Sequence, residues 1–134
     1  MVAVFSNGSG PATMQRPYRL SCHCGDIRFD VDEDLTGLID CNCSTCRRSG
    51  FLHWKVDASK IKLLSEKRRL TSYIWRGLNE GHQFCPTCGT PVLRSGYPDN
   101  KVSINARCIE GVDVFTLDIE RYDGRNDMFP GPLP

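Results

Sequence analysis

Seven of the eight cysteines fall into three short groups: Cys22-His23-Cys24-Gly25, Cys41-Asn42-Cys43-Ser44-Thr45-Cys46 and Cys85-Pro86-Thr87-Cys88-Gly89; Cys108 stands apart. A tetrahedral zinc with Zn–S near ~2.3 Å needs sulfurs roughly 3.8 Å apart, a spacing that cysteines one or two residues apart reach on a tight turn. Gly25 and Gly89 suit a backbone that turns back with positive φ, and Pro86 pre-sets the first corner of such a turn. A closed structural site takes four thiolates, whereas a catalytic one keeps three protein ligands and an open position. The first and third groups supply two cysteines each and the middle group three, so the seven divide as four plus three. Two alternatives stay open. A knuckle of the middle group could pair with either neighbour, or Cys108 could complete a second closed site. Alone, Cys108 reads as a small buried hydrophobe. A redox role for Cys85 and Cys88 would want a helix start, which Gly89-Thr90-Pro91 breaks.

Three thiolates leave a divalent zinc net negative and a poor Lewis acid, better suited to holding an exogenous thiolate than to activating water. The bound sulfur of glutathione or a similar thiol would then attack a small aldehyde, or release one in reverse. A fourth anion demands nearby cations, and Arg47 and Arg48 follow the last ligand directly; their plainer reading is a solvated turn. His53 reads first as a surface histidine and second as a proton shuttle, while strand alternation sends Trp54 to the opposite face and into the core. His23, between two ligands, should be exposed. His82, three residues before Cys85, is a further candidate neighbour of the metal.

The elements that must position these residues are mostly short strands. Asp26 to Val31 alternates with period two, and similar runs are Leu38–Cys41, Phe51–Val56, Ile61–Leu64, Leu70–Trp75, Pro91–Ser95, Lys101–Asn105 and Val112–Leu117. Turn residues separate them, and Lys67-Arg68-Arg69 reads as a solvated hairpin end. One helical turn is expected after the middle cysteines, capped by Ser44 or Thr45 and stopped by Gly50. Residues 1–17 read as a flexible tail, 18–123 as one mainly β domain and 124–134 as a loose or extended C-terminal segment.

Composition excludes several classes. Lys plus Arg number 17 against 16 Asp plus Glu in 134 residues, a formal charge of +1, which argues against a dedicated nucleic-acid or membrane-surface binder. No run approaches the ~18 apolar residues of a membrane span, and the opening residues lack a basic n-region, so no secretory signal is expected. With no export signal, the cysteines point to metal rather than disulfides and to a reducing, cytoplasmic location.

The ordered series Cys22-x-Cys24-Gly25, Cys41-x-Cys43-x-x-Cys46-Arg47 and Phe84-Cys85-x-x-Cys88-Gly89, with Val102-Ser103-Ile104-Asn105-Ala106-Arg107-Cys108 downstream, resembles the glutathione-dependent formaldehyde-activating enzyme family, which also contains centromere protein V. The resemblance implies several small, coiled antiparallel sheets pinned by two zinc ions, a β-tent-like fold. It also implies a structural zinc on Cys22, Cys24, Cys85 and Cys88 and a catalytic zinc on Cys41, Cys43 and Cys46. The implied activity is that of a carbon–sulfur lyase that condenses glutathione with formaldehyde to S-(hydroxymethyl)glutathione; the alternative is a non-catalytic zinc-stabilised binding module like centromere protein V. Asn42 stands where many relatives carry His, a departure that bears on substrate more than on metal.

Overall fold

In β2 (Arg28–Val31) and β4 (Leu52–Asp57) buried and open positions alternate strictly, because one side of each strand carries Phe29 and Val31, or Leu52, Trp54 and Val56, into the interior. The computed structural model describes residues 15–65, 69–75 and 80–127. Its other strands are β1 (Tyr18–Ser21), β3 (Leu38–Cys41), β5 (Ile61–Leu63), β6 (Thr71–Tyr73), β7 (Gly81–Phe84), β8 (Pro91–Ser95), β9 (Lys101–Asn105) and β10 (Ile119–Tyr122). Two short helices, α1 (Ser44–Ser49) and α2 (Gly124–Asp127), complete the described elements with a few 3-10 turns. The chain is mainly β, as expected.

Among the described residues the strands form two sheets, one of order β1-β2-β5 and one of order β10-β3-β4-β9-β8-β7-β6. Neighbours are antiparallel except β10, which lies parallel to β3. The main core holds Leu20, Phe29, Val31, Leu38, Leu52, Trp54 and Ile104. Trp54 is 1% exposed, meets Tyr18 edge-on at 5.7 Å and donates its indole N–H to the Asp34 carbonyl at 3.1 Å. That bond lets a large amphipathic ring be buried without an orphan donor.

Register decides what the larger sheet's second face carries. Ile39 pairs with His53, His53 with Asn105, Lys55 with Ser103, Ser103 with Arg94, and Arg94 with His82. Side chains that lie opposite one another across a ladder share a face. One side of β4 and β9 therefore packs Trp54, Val56, Val102 and Ile104 into the core, while the other side of β4, β9, β8 and β7 gathers His53, Ser103, Arg94 and His82.

Several expectations are corrected. The Val112–Leu117 run is no strand; Asp113 accepts a hydrogen bond from the Phe115 N–H at 3.0 Å and nucleates a 3-10 turn over Val114–Thr116. A side chain that satisfies its own backbone competes with sheet pairing, and here it wins over β-branched propensity. Asp26 and Ile27 belong to the turn before β2, and β1, β7 and β10 are strands beyond the expected set. The C-terminal segment is not loose throughout, since residues 124–127 are helical. At the other end, Arg16 already bonds Asp32 and Asp34. Lys67 and Arg68 lie outside the described residues, as do residues 1–14 and 128–134 of the expected tails; Arg69 pairs with Asp26 at 3.0 Å.

Candidate metal centres

The turn between β1 and β2 and the turn between β7 and β8 bring Cys22, Cys24, Cys85 and Cys88 together, with all four sulfurs within 4.8 Å of one another. The Cys22–Cys24 and Cys24–Cys85 sulfurs are each 3.7 Å apart. That matches the ~3.8 Å edge of a tetrahedron built on Zn–S bonds of ~2.3 Å. Gly25 and Gly89 take φ of +89° and +77°, the left-handed conformation expected of them. The Ile27 N–H reaches the Cys22 sulfur at 3.3 Å and the Thr87 N–H the Cys85 sulfur at 3.4 Å. The Thr90 hydroxyl, 3.2 Å from Cys88, is the main cause holding that thiol down at about 5. Four closely spaced sulfurs with N–H donors turned toward them suit a closed thiophilic ion.

The second group forms where β3 runs into α1. Cys41, Cys43 and Cys46 are buried, and their sulfurs too lie within 4.8 Å of one another. The helix cap is Cys43 rather than Ser44 or Thr45: its sulfur accepts from the Cys46 N–H at 3.5 Å, while Gly50, at φ 70°, ends the helix as expected. A sulfur in the cap position uses the helix's own orphan N–H to offset thiolate charge. Asn42, whose side chain points away from the sulfurs' business, clamps the C-terminal turn instead. It donates from Nδ2 to Asp123 at 3.0 Å and accepts the Arg125 N–H at 3.0 Å.

That clamp lays Gly124 against the second group. A Cβ on Gly124 would stand 2.6 Å from the Cys41 sulfur. Gly124→Ala must therefore displace either the turn or the sulfur, and we expect metal affinity at the three-cysteine group to fall about tenfold, the scale of a lost supporting contact. Competition with a chromophoric chelator reads this directly; unaltered affinity would show that the turn moves freely.

On the opposite wall, His53 Nε2 is 3.1 Å from the Cys46 sulfur and its Nδ1 is 2.6 Å from the Ser103 hydroxyl. Burial above all, with Arg94 next, pushes His53 down to about 3, so its imidazole is neutral. This corrects the surface-histidine expectation. Arg94, which sequence analysis overlooked, donates from Nη1 to the Cys46 sulfur at 3.1 Å and from Nη2 to Thr45 Oγ1 at 3.0 Å. The signal was an arginine inside the apolar run Pro91–Ser95. Arg47 and Arg48 are exposed; Arg48 donates to the Ser44 carbonyl at 2.9 Å.

Cys41, Cys43 and Cys46 border a cavity of about 320 Å³, with His53, Arg94 and Tyr97 on its wall. A larger one, about 750 Å³, opens beside Thr45, Arg48 and Phe51. Trp75, His82 and Arg94 line both. His82 thus sits near the group, its ring 5.7 Å from Trp75, and both its nitrogens are buried without a hydrogen-bond partner. His23 is exposed and Trp54 is core, as expected. Cys108 is buried in the main core with its sulfur 3.6 Å from the Pro91 carbonyl, and it belongs to neither group.

A small, mainly β chain carrying one four-cysteine and one three-cysteine group, each able to hold a metal ion, defines the class of protein. More narrowly, the chain belongs to the glutathione-dependent formaldehyde-activating enzyme family, whose family model matches residues 17–122. It is also similar in structure to a Rhodobacter sphaeroides protein solved by crystallography as a Northeast Structural Genomics target. That match has a TM-score of 0.66 and 25% identity over 78% of this chain and 99% of the other. No described helix is long and apolar enough to cross a membrane.

Proposed function

We propose that the protein is a zinc-dependent carbon–sulfur lyase of the S-(hydroxymethyl)glutathione synthase type, joining a thiol such as glutathione to a small aldehyde. The observation that carries this is the three-cysteine group. Its sulfurs border a cavity, and among the described residues no fourth Cys, His, Asp or Glu completes the set. Cys22, Cys24, Cys85 and Cys88 would hold a structural zinc, and Cys41, Cys43 and Cys46 a catalytic one. When bound there, zinc supplies a Lewis acid that keeps an incoming sulfur in its nucleophilic, deprotonated form.

The protein's own residues do the rest. The cavity beside Cys46 brings thiol and aldehyde together, which converts a bimolecular encounter into a local one. The thiol sulfur attacks the carbonyl carbon, a C–S bond forms, and the carbonyl π pair moves onto oxygen. The proton lost by the thiol ends on that oxygen, giving the hydroxymethyl thioether with all atoms accounted for; the lyase direction is the reverse. Neutral His53, held by Ser103 through Nδ1, presents Nε2 beside Cys46 and leaves the anionic character of the site to the sulfurs. Arg47 and Arg48 would serve the substrate's carboxylates from the edge, Arg48 at the mouth of the larger cavity. A chemistry that depends on reduced thiols fits the cytoplasm.

The test is NMR exchange spectroscopy of glutathione and formaldehyde with zinc-loaded protein. Acceleration of adduct formation and breakdown above the spontaneous rate, lost in Cys46→Ser, is the expected result. No acceleration with formaldehyde or any other small aldehyde would favour the binding module instead.

A further inference from the structure

Arg94 is 5% exposed, and among the described residues its polar contacts are the Cys46 sulfur at 3.1 Å, His53 Nε2 at 3.4 Å and Thr45 Oγ1 at 3.0 Å, none of them a carboxylate. Its Nε is buried without an acceptor. The guanidinium stacks on Phe51 at 4.2 Å, a contact that fixes its plane. A buried cation is costly to desolvate unless an anion compensates it, and the nearest group able to become one, on ligating a metal, is the Cys46 sulfur. The small cavity it faces has Lys55 on its rim and His53, His82, Tyr97 and Tyr122 around it, with no Asp or Glu among its described lining.

We propose that Arg94 is a positioning residue that sets the charge of the three-cysteine centre, so that the centre takes an anionic sulfur as its incoming ligand in preference to a neutral one. The inference rests on the thiol-adduct reading above and adds the residue that makes it electrostatically workable. With a divalent ion bound, three thiolates would outweigh it, and the Arg94 charge, delivered by a hydrogen bond to Cys46, would bring the centre back to neutral. A fourth thiolate then joins a neutral centre rather than a negative one. Exposed Arg47 and Arg48 cannot replace this effect, because water screens charges at the surface far more than a guanidinium buried against the sulfur. Register explains why strand β8 can deliver it: Arg94 pairs with Ser103, which places it on the cavity face beside His53.

The experiment uses the zinc-loaded full chain and calorimetric titration with two probes, glutathione as an anionic-sulfur ligand and imidazole as a neutral one. Arg94→Gln should weaken glutathione binding by about tenfold or more while imidazole changes by less than about twofold, and Arg94→Lys should recover most of the glutathione affinity. Zinc per chain, read by native mass spectrometry, accompanies each titration. Equal losses for both probes, or unchanged glutathione binding in Arg94→Gln, would overturn the proposal. If Arg94→Gln sheds the second ion, Arg94→Lys decides. Retained zinc with retained preference for glutathione supports the charge role, and loss of either refutes it. Wild-type protein that binds imidazole but no thiol would refute the thiol reading itself. Normal thiol turnover with an unaltered Arg94→Gln profile would remove only the role of Arg94.

Discussion

Cys85→Ser is expected to abolish the folded baseline, and a strong chelator to do the same to the wild-type chain. Cys85 is fully buried and sits within the main core beside residues such as Leu20 and Val92, so its centre is part of the interior rather than an appendage. Its sulfur meets that of Cys24 across 61 residues of chain. A metal at this junction ties the small sheet, through β1 and β2, to the β7–β8 end of the large one. Structural zinc in small peptides contributes about 10–16 kcal/mol at neutral pH. The whole stability of a domain of this size is about 5–15 kcal/mol. Losing the larger quantity from a fold with the smaller margin leaves nothing to melt. Far-ultraviolet circular dichroism during chelation, with zinc added back to test recovery, measures this. A metal-free chain with an undiminished melting transition would show that the hydrophobic core suffices and that the four sulfurs are incidental.

How much of this was legible in the sequence depends on how far apart the partners lie. The middle cysteines could be grouped because Cys41, Cys43 and Cys46 occupy one strand end and one helical turn, where local geometry fixes their separation. Joining the first and third groups rested on a ligand count that left other pairings open, and the fold brings Cys22, Cys24, Cys85 and Cys88 together. The core of β2 and β4 showed in plain alternation. His53 and Arg94 were different, because they reach Cys46 only through the registers of β3 with β4, β4 with β9 and β9 with β8. A strand pattern says that His53 and Trp54 part company, yet it does not say which face meets the cysteines. The C-terminal turn was hidden for a similar reason. Gly124-Arg125-Asn126-Asp127 has no helical strength of its own, and it is held by Asp123 through Asn42, 81 residues away, and through Asn126. Asn42, between two of the cysteines in sequence, is the residue that ties the turn at Asp123 and Arg125 to the site.

Cys46→Ser is expected to have the opposite character: it should cost the three-cysteine group its metal ion and spare the fold. The three-cysteine group packs apart from the main core, with Trp75 as its apolar neighbour. None of Cys41, Cys43 or Cys46 ties the two sheets together, since all three lie on β3, α1 and the link between them. Serine keeps an oxygen near Arg94 Nη1 and His53 Nε2, both 3.1 Å from the native sulfur, so these groups lose a good acceptor without being wholly stranded. The cost is that of one weakened buried contact to a charged group, about 1–3 kcal/mol, which lowers the melting temperature by about 3–15 °C. Under the proposed assignment native mass spectrometry then finds one zinc where the wild type holds two, and the glutathione affinity goes with the missing ion. The contrast with Cys85→Ser is the informative part, because both variants delete one buried sulfur from a cysteine cluster. If Cys46→Ser also unfolds the chain, the second centre is a structural fastener and the cavity beside it has no open metal to serve; if it keeps both ions, these three sulfurs are not the ligand set.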